Sequence, residues 1–127
     1  MTVKRILIPG PDHPITIEPT AGRVVVTVGG RTIVDTQSAL TLHEATYPAV
    51  QYIPRSDVDW SFLSRTETAS YCPYKGDATY FSIIVDGERH PDAIWTYEDA
   101  YPAVAKIKSH LAFSRDRVAS IDIKQDG

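Results

Sequence analysis

The sequence predicts a single, mainly antiparallel β domain over residues 1–127, with one α-helix near its C-terminal end. Three observations carry this expectation. Runs with period-two or β-branched character recur along the chain, and two of them meet at Gly-Gly or Asp-Gly pairs, which suit tight hairpins. Only one stretch carries helical spacing of its apolar residues. The regular alternation of strands and helices that builds a parallel sheet is missing.

The elements follow in order. RVVVTV, Gly29-Gly30 and RTIVD read as a hairpin, because both central residues of a primed turn need positive φ. SALTLHE, residues 38–44, alternates with Leu40 and Leu42 on one face and Thr41 and His43 on the other, which is a half-buried strand. Pro48 and Pro54 bracket AVQYI as a short extended piece. SDVDWSFL fits a single helical turn capped by Ser56 or Asp57, with Val58 and Leu63 covering apolar ground. ATYFSIIV, residues 78–85, is the longest strand signal and runs into an Asp86-Gly87 turn, then ERH and AIWTY. Pro102 suits a first helical position, and Val104, Ile107 and Leu111 fall on one helical face. VASIDIK, residues 118–124, closes the chain as a last strand.

Composition narrows the function classes. At 127 residues the chain suits one domain and buries enough surface to fold without a disulfide or metal. A net charge of −3 with no basic run argues against nucleic acid or an anionic membrane surface as partner. The single cysteine excludes an intrachain disulfide and suits a cytoplasmic protein. Near the N-terminus only Ile6, Leu7 and Ile8 form an apolar run, too short for a signal-peptide core or a membrane span.

The residues with chemical potential are few. Cys72, in CPYKG, is the candidate nucleophile, and Lys75, folded back by the turn, would favour its thiolate. The same five residues also make a good corner between two strands, with Cys72 as a small buried hydrophobe. Lys75 reads as an anion-binding point charge or, as for most lysines, an exposed turn residue. His13 lies in the proline-rich PGPDHP, beside Asp12, and completes the candidate catalytic set. No HxH or HExxH spacing occurs, so the sequence calls for no metal and no cofactor. A metal trio of His13, His43 and Cys72 is the one assembly that folding would have to create. Glu44 continues the apolar face of Leu40 and Leu42, so it must be paired, protonated or at the sheet rim, and Arg55 is its expected partner. Seven tyrosines against three phenylalanines suit a ligand pocket or a subunit interface, and suit a small β-sheet as well. Tyr80, Trp95 and Tyr97 fall on adjacent expected strands beside the Cys72 turn. With Tyr52, Arg55 and Glu44 they form the expected ligand-binding set.

Three blocks, YPAVQYIPRSDVD, CPYKGDATYFSIIVDG and IWTYEDAYPAVAKIKSHLAF, together resemble a bacterial and fungal family catalogued as domain of unknown function 427. GPDHPIT and ALTLHEA share the likeness, which extends from about residue 9 to 122. The resemblance implies a small, tent-like fold of two sheets and brings no established activity. The family has carried a nucleotidyltransferase label. This sequence has neither a Gly-rich phosphate loop nor paired aspartates on a strand to hold Mg²⁺. Some tent-like folds hold zinc with four cysteines, a set that Cys72 alone does not supply.

The first functional expectation is a cytoplasmic module that binds a small organic ligand in an aromatic pocket by the 72–76 turn. An enzyme with Cys72 as nucleophile, supported by Lys75 and a histidine, is the alternative. A homo-oligomeric interaction domain with the aromatics at its interface is the third.

Overall fold

The structure is a computed structural model that describes residues 5–116 and 120–124. It is mainly β and antiparallel throughout its ladders. The strands are β1 (Ile15–Pro19), β2 (Arg23–Val28), β3 (Arg31–Thr36), β4 (Leu40–Glu44), β5 (Val50–Ile53), β6 (Leu63–Cys72), β7 (Gly76–Val85), β8 (Glu88–Thr96), β9 (Leu111–Phe113) and β10 (Ser120–Lys124). Seven form one sheet in the order β1-β4-β5-β9-β8-β7-β6, and three form a second, β10-β2-β3. No helix among the described residues is long and apolar enough to cross a membrane.

Both expected hairpins form. Gly29 and Gly30 turn β2 into β3 at φ 55° and 78°, and Asp86 and Gly87 turn β7 into β8 at φ 50° and 81°. Period-two alternation then divides the large sheet into two working faces. Phe81, Ile83, Val85, Ile94, Leu111, Phe113 and Ile53 pack against Val24, Val26, Val28, Ile33 and Val34 of the small sheet. Each such buried side chain contributes about 1.5–3 kcal/mol relative to exposure. The opposite face carries Leu42, Tyr52, Ala78, Tyr97 and Ala112, and there Val104 and Ile107 cover part of it.

The C-terminal helix differs from the expectation. It is two short 3₁₀ turns within Pro102–Ile107, joined at a kink at Val104, not an α-helix, and Leu111 belongs to β9. Pro102 does lead it. Val104 and Ile107 are both fully buried. Val104 leaves helical geometry at φ −125°, ψ 28°, and Ser109 reverses the chain at φ 61°. The chain has to enter the sheet between β5 and β8 at Leu111, so an α-helix through that residue has no room to continue.

Two local details also differ. SDVDWSFL contains two single 3₁₀ turns, Arg55–Asp57 and Trp60–Phe62. Asp59 caps the second by accepting from the Ser61 N–H, while Asp57 accepts from Thr36 Oγ1 at 2.6 Å. β6 is an edge strand that the sequence pattern did not announce. Most of its side chains are exposed on both faces, so no alternation marks it.

Candidate functional site

CPYKG is the corner between β6 and β7, and it aims a lysine into the protein. The Lys75 N–H donates to the Cys72 carbonyl at 3.2 Å, closing the turn. Gly76 stands at φ 113°, and a Cβ there would meet the Asp99 carbonyl oxygen at 3.4 Å. The Tyr101 N–H donates to the Lys75 carbonyl and the Leu7 N–H to the Pro73 carbonyl, each at 3.0 Å. The turn is thus pinned by backbone from two other segments. Lys75 is left only 7% exposed, an uncommon place for a lysine.

Its ammonium is paired with Glu44, at the end of β4. The second carboxylate oxygen of Glu44 is 2.8 Å from His13 Nε2. The His13 ring stacks flat on Tyr74, with centroids 4.1 Å apart, and meets the edge of Tyr47. Burial pushes the Glu44 carboxyl up, but hydrogen bonds from Lys75 and His13, with the charge on both, outweigh it. The carboxyl rests below the ordinary value of 4.5. Glu44 is therefore a carboxylate on an apolar face that is fully engaged.

A cavity of about 280 Å³ opens beside this cluster. Glu44, Lys75, Tyr52, Tyr80, Trp95 and Tyr97 line it, with Tyr47 and Pro48 at one side. Strand pairing explains the convergence: Tyr80 lies opposite Trp95, and both Trp95 and Tyr52 lie opposite Ala112. Trp95 Nε1–H donates to the Tyr52 hydroxyl at 3.3 Å, and the Tyr80 hydroxyl shares a hydrogen bond with Ser70 Oγ at 2.9 Å. Tyr97 is only 7% exposed, and its hydroxyl, without a hydrogen-bond partner among the described residues, is not one of its buried atoms. Burial holds the Tyr52 and Tyr97 phenols well above their ordinary value of 10, so both remain protonated donors. A second cavity, of about 300 Å³, shares Tyr47, Pro48, Val50 and Trp95 and is otherwise walled mainly by Val24, Val26, Ile53 and Phe113.

Several expected site residues thus come together: Lys75, His13, Glu44, Tyr52, Tyr80, Trp95 and Tyr97. Arg55 does not join them. Its guanidinium lies 4.4 Å over the Trp60 ring and 3.9 Å from Glu98, so it is neither the partner of Glu44 nor part of the cavity wall. Glu98 in turn takes Arg65 at 3.0 Å, and that hydrogen bond holds its carboxyl below the ordinary range. Cys72 is half-buried and packs into the cluster around Tyr97 and Tyr52 without lining the cavity. The ammonium expected to favour its thiolate is bonded to Glu44 instead. His43 faces away from Glu44 along β4 and is exposed. Among the described residues no group of three His, Cys, Asp or Glu side chains is placed to hold a metal ion, so the His13, His43 and Cys72 trio does not assemble.

Pattern reading missed Tyr47, Pro48 and Tyr74. Tyr47 and Pro48 sit in a loop, where no periodicity assigns a face. Tyr74 had one available signal, its place next to Lys75 in the turn.

No curated protein matches the chain. The family described as Domain of unknown function (DUF427) matches residues 16–124, which include every residue of the cavity wall, its lysine and its glutamate among them. The chain belongs to that family.

Proposed function

We propose that this domain is a binding module for a small organic ligand, and that the cavity beside Lys75 is its site. The observation that carries the reading is the Tyr97 hydroxyl. Tyr97 lines the cavity, its phenol is protonated, and its hydroxyl has no hydrogen-bond partner among the described residues, so it is open to a ligand in the cavity. A ligand acceptor there would gain a hydrogen bond from a phenol already held in the wall, worth about 0.5–1.5 kcal/mol net. Lys75 adds to it: its ammonium has three N–H groups, and Glu44 is its one acceptor among the described residues. Five aromatic residues with a few polar tips, around a volume near the lower end for small-molecule sites, suit a compact ligand. A reducing cytoplasm suits Cys72, which has no second cysteine in the chain to pair with.

A thermal-shift screen of small oxygen-bearing organic compounds tests this reading. A ligand raises the melting temperature of the wild type, and Tyr97→Phe loses most of that rise while keeping its own fold. If no compound shifts the wild type, or if the shift survives unchanged in both Tyr97→Phe and Trp95→Ala, the cavity is not the site.

A further inference from the structure

Tyr47, Pro48, Val50 and Trp95 line both cavities, the one beside Lys75 and the second one of about 300 Å³. Tyr47 is 64% exposed, so the wall that the two share reaches the surface. One molecule can therefore occupy both without opening the core. The two halves differ in chemistry. The first ends in Lys75, Glu44 and Tyr97. The second is walled mainly by Val24, Val26, Ile53 and Phe113, which belong to the core between the two sheets. An apolar group placed there leaves water for an apolar wall, which is favourable.

The polar half sets the charge of the ligand. Lys75 and Glu44 are the only charged residues in its wall, and they are paired with each other. Their charges cancel. An anion or a cation bound there gives up its hydration without meeting a net opposite charge, a cost that a neutral group does not carry. Hydrogen bonding sets the polarity. The Tyr97 hydroxyl has no partner among the described residues, and Lys75 has N–H groups beyond the one it gives to Glu44. Glu44 already takes Lys75 on one oxygen and His13 on the other. The open positions are donors, so the polar group of the ligand is an acceptor.

We infer that the ligand is a neutral, elongated molecule, with a carbonyl-type acceptor at Tyr97 and Lys75 and an apolar chain that runs past Trp95 and Tyr47 into the second cavity. This deepens the ligand-binding reading and rests on it. Ala49 lines the second cavity and not the first, so added bulk at that residue closes the apolar half and spares the polar one.

Butanamide, hexanamide and octanamide are the probes, each titrated into the full chain at pH 8 and followed by the chemical shifts of the backbone amides. Hexanoate and hexylammonium are the charged counterparts, and both keep their charge at that pH. The expected result is hexanamide binding about tenfold or more tighter than either charged counterpart. Affinity rises about two- to fourfold for each added methylene. Tyr97→Phe weakens all three amides about two- to tenfold. Ala49→Trp removes the gain with chain length and leaves the affinity for butanamide unchanged. Equal or tighter binding of hexanoate or hexylammonium overturns the inference. So does an affinity independent of chain length in the wild type, or a length dependence that survives in folded Ala49→Trp. The wild-type series decides the point even where Ala49→Trp does not fold. If none of these compounds binds at millimolar concentration, the inference falls. The ligand-binding reading then stands as long as another compound of the thermal-shift screen stabilises the wild type, and a wild type that no compound stabilises removes both.

Discussion

Glu44 joins Lys75 to His13, one carboxylate oxygen to each, although both partners lie 31 residues away in the sequence. One residue of β4 therefore ties the β6–β7 turn to the loop ahead of β1. Removing either side leaves a largely buried charge unmatched. Lys75→Met should lower unfolding free energy by about 2–4 kcal/mol, near the range for breaking a buried pair. Adding Glu44→Gln should recover part of that loss. Urea denaturation of the two single variants and the double variant gives the coupling directly, and additive losses would contradict the pairing.

Acid should expose the same carboxylate. The Glu44 carboxyl lies below its ordinary value of 4.5 in the folded protein. Its contribution to stability is therefore full above that ordinary value and is lost as pH falls through the lower, folded value. Glu98 behaves the same way through Arg65. Glu44→Gln should make the acid limb of a stability–pH curve shallower without flattening it, because Glu98 remains. An acid limb identical to wild type would count against the Glu44 assignment.

At the other end of the scale, Tyr52 and Tyr97 have the opposite sign. Their phenols lie above the ordinary value of 10, so the stability linked to them is full below pH 10 and is lost as pH rises further. Absorbance titration at alkaline pH should show these two tyrosines ionising only as the protein unfolds. Tyr97→Phe should leave the stability of the free protein unchanged or raise it slightly, since no hydrogen bond is lost. Tyr52→Phe should cost about 1–3 kcal/mol, because the Trp95 N–H loses its acceptor.

The turn itself has a demanding glycine. Gly76→Ala places a Cβ at φ 113°, 3.4 Å from the Asp99 carbonyl oxygen. The expected loss is about 2 kcal/mol or more. Gly30→Ala is a useful comparison, with φ 78° but nothing within 4 Å. The Gly76 change should be the costlier of the two and should alone displace Lys75. Chemical denaturation ranks them, and equal losses would mean that the close approach to Asp99 contributes nothing.

Much of the architecture was legible in the sequence because hairpins announce themselves locally. Gly29-Gly30 and Asp86-Gly87 fix two turns, and SALTLHE alternates cleanly. β6 was not legible. It is a polar edge strand, with an irregularity between Arg65 and Ala69, and neither face is consistently buried. The helical segment was visible as apolar spacing, but i and i+3 fit a 3₁₀ turn as well as an α-helix, and only the tertiary path to β9 chooses between them. Within the site, Glu44 stood out as a charge on an apolar face that needed a partner. Arg55 was the near basic residue in sequence, whereas the actual partners are brought in by strand pairing across long separations. Spacing along a chain does not report that distance.

The most direct test of the central claim is native mass spectrometry of the protein purified gently from cells, repeated after denaturation. The account predicts a non-covalent mass of a small organic compound on the wild type, lost on denaturation and depleted in Tyr97→Phe. A wild type that carries no added mass and takes up none from a supplied compound library would contradict it.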